Sequence, residues 1–240
     1  MTLIDIAVAT LAGLAAGILV NYLADVLPAT RRLSAPPWWP LSAESINDYL
    51  QLGRVVLVLL AYITAALLLV RFPPAELSRA FLALLLIHFG VVIVIDIEHR
   101  AILHPVSLTG AILFGLWGIL RRGWLATLLG GAAGFLIMLA FYWLGEQLGR
   151  WLARRRGEAW DDVALGFGDV NLSGVIGLLL GWPSVLGGLV LGILTGGVYS
   201  AGHILVQVLR RRYRALAAIP YGPFLSISAV GLILLGAYLV

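Results

Sequence analysis

Long apolar segments are the feature that most constrains how this chain can fold. The chain contains eight such segments, and most of them have the roughly 20 residues that a helix needs to cross about 30 Å of hydrocarbon. They cover residues 3–27, 54–70, 79–95, 105–120, 124–148, 168–182, 184–209 and 220–240. Because a segment in lipid must satisfy its backbone hydrogen bonds internally, each is expected to be a helix. The sequence therefore predicts an all-α, polytopic membrane helical bundle of about eight transmembrane helices.

The composition excludes an ordinary water-soluble domain. Charged residues make up 12% of the chain and hydrophobic residues 61%, whereas soluble domains carry about 25% charged residues. Cysteine is absent, which excludes disulfides, thiolate metal sites and a cysteine nucleophile among these residues. No P-loop, dinucleotide fingerprint or Ser-x-x-Lys pattern occurs. We expect no cofactor, no metal site and no nucleic-acid partner.

The placement of arginine predicts the orientation of the bundle. All 16 basic residues are arginine, and with the N-terminus outside, 12 fall in inward loops and 4 in outward loops. Arginine accumulates in the cytoplasmic loops of membrane proteins, so this split predicts an N-out, C-out topology. The arginine-rich stretches 154–156 and 210–214 are expected to contact anionic lipid, which makes the bilayer one predicted partner.

The connecting loops are too short to form a separate folded region. We interpret residues 1–240 as a single membrane-embedded domain with a short cytoplasmic loop at 28–53. Small residues at helical spacing, Gly13–Gly17, Gly130–Gly134 and Gly188–Gly192–Gly196, are predicted to let helix backbones pack closely.

Two carboxylates are placed differently from the other acidic residues, most of which lie in loops or at segment ends where solvation is cheap. Asp96 ends the apolar run 89–96, at the predicted inner boundary of the third segment. Asp169 follows Gly166-Phe167-Gly168, where the sixth segment begins. The predicted topology puts both at cytoplasmic helix ends, at one depth. An ionisable group at the edge of a bundle is costly unless paired or hydrated, so both are candidate functional residues.

A facing pair of carboxyl groups can catalyse hydrolysis. The two groups cannot both ionise easily, so they share a proton, and one acts as acid while the other acts as base. A water held between them then attacks a peptide carbonyl, as in aspartic proteases. Gly166 and Gly168 would let an extended substrate backbone lie close. The structural alternative makes Asp96 an interfacial end-cap and Asp169 the N-cap of the sixth helix.

Three stretches together resemble one known family. They are Ile-Asp-Ile-Glu-His-Arg at 95–100, Leu-Gly-Phe-Gly-Asp-Val-Asn-Leu at 165–172 and Ile-Pro-Tyr-Gly-Pro-Phe at 219–224. In this order they resemble the prepilin peptidases, bacterial membrane aspartic proteases with Gly-x-Gly-Asp at the second aspartate. The resemblance implies that Asp96 and Asp169 are the catalytic pair, in a site shaped by Gly166 and Gly168. It also implies an endopeptidase of the bacterial cytoplasmic (inner) membrane, multi-pass, which cleaves the basic leader of a type IV prepilin or pseudopilin precursor at the cytoplasmic face.

The chain departs from that family at three points. Asn171 stands where lysine is common, and Pro105 follows the first aspartate later than the family's proline does. The loop at 28–53 is short and lacks the four cysteines of the metal-binding module in the larger members. Those larger members also N-methylate the mature pilin. Because this chain lacks their four-cysteine module, methyltransferase activity is not predicted for it.

Four acidic residues near the aspartates are candidate contacts for a basic leader: Glu98, Glu158, Asp161 and Asp162. Opposite charges would attract the leader to the site, so reversing these charges should raise KM before it changes kcat.

Two alternative functions stay open. Intramembrane proteases of the presenilin type also have Gly-x-Gly-Asp, but they carry Tyr-Asp and Pro-Ala-Leu where this chain has Ile95-Asp96 and the stretch 219–224. A small transporter or proton-coupled channel would use Asp96 and Asp169 as relay groups. That function would place the aspartates near mid-membrane on broken helices.

Overall fold

A computed structural model of the chain describes residues 2–29, 46–74, 76–156, 166–210 and 220–239. Within these residues the chain forms eight α-helices and no strand. The helices are α1 (Leu3–Ala29), α2 (Ile46–Arg71), α3 (Arg79–His99), α4 (His104–Arg122), α5 (Trp124–Arg156), α6 (Phe167–Leu180), α7 (Ser184–Leu209) and α8 (Gly222–Leu239). The all-α prediction is confirmed for the described residues.

The helix bounds follow the apolar segments, with three informative differences. α2 begins at Ile46 rather than at 54, α5 continues to Arg156 rather than 148, and α3 continues to His99 rather than 95. Hydropathy marks the part of a helix that suits hydrocarbon, whereas the helix itself continues until a cap or a breaker ends it. As a result, both ends of the predicted loop at 28–53 are helical, and its centre at 30–45 lies outside the described residues.

Five helices, α1, α2, α3, α5 and α7, are long and apolar enough over the described residues to cross a membrane. The chain is therefore a multi-pass membrane protein. α6 is shorter, with 14 residues, which corresponds to about 21 Å at 1.5 Å per residue. The crossing of all eight helices and the N-out, C-out orientation stay predictions.

The described chain divides into two compact units, of which the first comprises Met1–Val94 and Leu234–Val240. In this unit α1 packs against α2 through the predicted small residues. A Cβ on Gly13 would lie 2.6 Å from Ile63 Cα, so the two backbones are in direct contact. Arg54 of α2 forms an ion pair with Asp25 of α1 at 2.8 Å, which joins the same two helices at a second level.

The second unit, Ile95–Ile233, contains α4 to α7 and most of α8. Its α5 and α6 also meet backbone to backbone: a Cβ on Gly177 would lie 2.6 Å from the carbonyl carbon of Gly130. A Cβ on Gly134 would lie 3.0 Å from the carbonyl carbon of Ser173. The predicted packing role of the small residues is confirmed in both units.

The C-terminal end of α6 is held by a side chain from α4. Arg122 Nη2 donates hydrogen bonds to the backbone carbonyls of Leu178, at 3.4 Å, and of Leu179. These carbonyls belong to the last turn of α6, where no intrahelical donor is available. Gly181 then ends the helix with φ of 72°, a conformation that glycine adopts without steric cost.

Candidate active site

Asp96 lies in the last turn of α3 rather than at its boundary. The helix continues to His99 and stops at Arg100, which has a left-handed φ of 50° and donates its N–H to the carbonyl of Asp96 at 2.9 Å. The residue is 4% exposed. A buried position one turn inside the helix directs the carboxyl into the protein rather than into water.

The Asp96 carboxyl is bound by another helix. Its Oδ2 accepts a hydrogen bond from the backbone N–H of Gly222, the first residue of α8, at 2.9 Å. The first N–H groups of a helix have no intrahelical acceptor and form the positive end of the helix dipole, so they suit a carboxylate. Asp96 therefore does more than end its own helix: it joins α3 to the start of α8.

Asp169 is the third residue of α6 and is 8% exposed. The N-cap of this helix is Gly166, which has an extended backbone and makes no side-chain capping bond. The N-cap alternative for Asp169 is therefore wrong. Asp169 donates its backbone N–H to the Gly166 carbonyl at 3.0 Å.

One oxygen of Asp169 has no partner among the described residues. Oδ1 is buried and accepts no hydrogen bond there. Leaving a buried polar atom unbonded costs about 1–3 kcal/mol. Other buried side-chain atoms among the described residues are likewise unbonded, Ser173 Oγ of the same helix among them, so the importance of this oxygen rests on its belonging to an acidic side chain near Asp96.

The two carboxyl groups interact electrostatically, since the negative charge of Asp96 acts on Asp169. Both lie in the second unit. The fold thus brings within electrostatic range of each other two acidic residues separated by more than 70 positions in the sequence. Chemically, two neighbouring carboxyls, one of which has an oxygen left unbonded by the described residues, can hold a water and exchange a proton with it.

The motif glycines have contacts of their own. A Cβ on Gly168 would lie 2.8 Å from Ile102 Cβ, so this glycine lets the first turn of α6 approach the segment between α3 and α4. A Cβ on Gly166 would lie 3.4 Å from Asp169 Oδ2. Packing within the chain is thus a reason for glycine at 168, and the predicted contact of both residues with substrate stays a prediction.

Side chains from α4 and α5 fix the start of α6. The Phe167 ring meets Phe135 and Tyr142 edge to face, at centroid distances of 6.3 Å and 5.9 Å. Asn171 Nδ2 lies 3.4 Å from His104 Nδ1, where the amide can donate to the ring nitrogen. The residue that replaces the expected lysine is therefore engaged within the chain.

The predicted leader contacts are only partly described. Glu98 is exposed in the last turn of α3, where a soluble peptide can reach it. Glu158, Asp161 and Asp162 lie outside the described residues. No group of three or more potential metal ligands occurs in the part of the chain that the structure describes.

Gly222 is the site residue that sequence analysis missed. The stretch 219–224 stood out as a motif, but the glycine within it received no role. The available signal was a glycine between Pro220, Tyr221 and Pro223 at the start of a helix. Helix starts of this kind favour proline, whereas glycine there needs another reason, and the neighbouring Asp96 supplies it.

Comparison with known proteins agrees with these motifs. The model of the type IV leader peptidase family matches residues 80–201, which contain both aspartates. A prepilin leader peptidase/N-methyltransferase of Aeromonas salmonicida (strain A449) is 30% identical over 155 residues, which is 61% of this chain and 47% of that protein. A protein of the same name from Aeromonas hydrophila is 29% identical over 153 residues, with the same coverage. The match therefore spans about half the length of these curated relatives. No solved structure gives a significant match.

Proposed function

Because this chain belongs to the type IV leader peptidase family, we propose that it is a membrane aspartic endopeptidase that removes the leader of a type IV prepilin or pseudopilin precursor. The observation that supports this activity best is the pair Asp96 and Asp169. Both carboxyls are buried, they interact electrostatically, and one has an oxygen left unbonded by the described residues. That arrangement suits the activation of a water molecule.

Hydrolysis would use the pair as one unit sharing a proton. The charged carboxyl takes a proton from the bound water as the water oxygen attacks the carbonyl carbon of the scissile peptide, and the protonated carboxyl gives its proton to the carbonyl oxygen. Proton transfer to the amide nitrogen then lets the C–N bond break. The products are a leader with a new carboxyl end and a mature protein with a new amino end.

The position of the aspartates suits a substrate that is itself membrane-anchored. Asp96 lies in the last turn of α3 and Asp169 in the first turn of α6, and the arginine distribution predicts that these ends face the cytoplasm. The apolar helix of the precursor would enter from lipid, while its polar leader stays in water. We therefore expect the reaction at the cytoplasmic face of the bacterial inner membrane.

The proposal covers leader cleavage alone. The curated relatives are also named N-methyltransferases, and this chain spans about half of their length. The absence of cysteine from the chain adds no support for the second activity. A mass spectrum of the mature product would report methylation of its amino end alongside loss of the leader.

The relay alternative is less well supported. A transporter or proton channel of this kind would carry its acidic groups on helices broken near mid-membrane. Asp96 and Asp169 instead lie in terminal turns of their helices. The family match likewise favours a leader peptidase over a presenilin-type protease.

Incubation with a precursor tests the proposal. The purified chain in liposomes is mixed with a purified type IV prepilin, and the products are weighed by mass spectrometry. We expect loss of the leader with the wild-type chain and with Asp5→Asn, a matched change at an exposed carboxyl of α1, but not with Asp169→Asn. An intact precursor after incubation with the folded wild-type chain would contradict the proposal.

A further inference from the structure

We propose that Gly222 is a positioning residue that holds the Asp96 carboxyl in its reactive orientation, a role that rests on the proposed peptidase function. The pair is separated by 126 positions in the sequence and joined by the 2.9 Å bond from Gly222 N–H to Asp96 Oδ2. Two independent features of residue 222 suit it to this role: its amide and its lack of a side chain.

The Gly222 amide is the donor at this helix start that can serve Asp96. The N–H groups of Phe224 and Leu225 both donate to the Tyr221 carbonyl, at 3.1 Å and 3.2 Å, and Pro223 has no N–H. Prolines at the first helical positions also fix the backbone of the turn. The amide of Gly222 is thus held in place by a rigid helix start and is shielded from competing water by burial.

The lack of a side chain at 222 is required by Asp96 itself. A Cβ there would lie 2.7 Å from Asp96 Oδ2, closer than real Cβ atoms approach a neighbour, and 3.1 Å from Asp96 Cγ, tighter than most such contacts. Backbone conformation gives no such reason, because the described glycines with positive φ are Gly123 and Gly181. Any larger residue must therefore move the carboxyl or the start of α8.

The consequence concerns catalysis rather than binding. A catalytic carboxyl displaced by about 1 Å can lose about 100-fold in rate. Gly222 acts on the reaction only through the Asp96 carboxyl that its N–H holds, so a change at 222 should act on kcat through Asp96. The substrate's affinity, set by its helix and leader, should be nearly unaffected.

A matched pair of glycine variants provides the first test. Gly222→Ala is compared with Gly231→Ala, which lies in the same helix with nothing within 4 Å of its added Cβ. We expect Gly222→Ala to lower kcat by about 100-fold with KM changed by less than about twofold, and Gly231→Ala to match wild type. A normal kcat in folded Gly222→Ala protein would overturn the role of Gly222.

Thermal stability provides a test that does not depend on activity. With Asp96→Ala the added Cβ no longer meets a carboxyl, so Gly222→Ala should lower Tm less in that background than in wild type. If Gly222→Ala alone fails to fold but the double variant with Asp96→Ala folds, this result also supports the contact between the two residues. An equal loss in both backgrounds would overturn the inference. An intact precursor with the wild-type chain would instead overturn the peptidase proposal.

Discussion

The two ends of α6 are built in opposite ways. At the C-terminal end, Arg122 donates to the carbonyls of Leu178 and Leu179, and Gly181 closes the helix with a positive φ. At the N-terminal end, the cap is Gly166, without a side-chain hydrogen bond, and Asp169 Oδ1 is buried with no partner among the described residues. At one end the last carbonyls of the helix receive a side-chain donor, and at the other an acidic side chain keeps one oxygen unbonded.

This difference separates structural from functional residues in a single helix. Satisfied carbonyls at a helix end stabilise the fold, whereas a buried carboxyl with one unbonded oxygen lowers stability and is retained where the protein uses it. Substitutions at the C-terminal end should therefore reduce stability and spare the reaction. Substitutions at Asp169 should abolish the reaction and spare stability.

The largest effect is expected at the N-terminal end. Asp169→Asn removes an acid–base group of the proposed pair, so kcat should fall by about 10²–10⁴-fold or more. Its Tm should not fall, because the amide removes a buried charge without breaking a hydrogen bond of Oδ1. Thermal unfolding in detergent, monitored by tryptophan fluorescence, measures the Tm of the variant. A large loss of Tm would instead mean that Asp169 has a structural role.

A substitution in the part of α6 that packs against α5 should lower stability. Gly177→Ala inserts a Cβ into the backbone of α5 at Gly130, and such overpacking costs about 1–3 kcal/mol of unfolding free energy. The control is Gly197→Ala in α7, where an added Cβ meets nothing within 4 Å. Denaturant titration of both variants in the same detergent should separate them, and equal stability would contradict the close α5–α6 contact.

The C-terminal end should show a smaller loss. Arg122→Ala leaves the carbonyls of Leu178 and Leu179 without their side-chain donor, which should cost about 1–2 kcal/mol of unfolding free energy. Arg122→Lys keeps the charge but not the forked geometry and should recover part of that loss. At temperatures well below Tm, both variants should cleave precursor at the wild-type kcat. A strongly reduced kcat in either variant would contradict a purely structural role for the C-terminal end of α6.

The smallest effect is expected outside the pair. Neutralising the exposed charge of Glu98 with Glu98→Gln should raise KM for a basic leader by up to about fivefold, since one charge pair in water is worth about 1 kcal/mol. The value of kcat should not change, and added salt should reduce the difference in KM between variant and wild type. A KM equal to wild type at low salt would remove Glu98 from leader binding.

Much of this account could be predicted from the sequence because the bilayer restricts the alternatives. Eight apolar segments became eight helices in the described residues, and two acids at the ends of such segments stood out because charge is rare there. The bounds of α2 and α5 could not be predicted from hydropathy, since these helices continue through polar residues. The bond between Gly222 and Asp96 joins a backbone amide to a carboxyl 126 positions away, and a backbone donor leaves little trace in the sequence.

The central claim is that Asp96 and Asp169 act as one catalytic unit, and a double-variant comparison of cleavage rates tests it most directly. Purified wild type, Asp96→Asn, Asp169→Asn and the double variant are given the same precursor, and kcat is measured for each at equal folded concentration. If the pair shares one proton, each single variant loses nearly all activity and the double variant is no worse than either. A single variant with near-normal turnover, or losses that multiply in the double variant, would contradict the account.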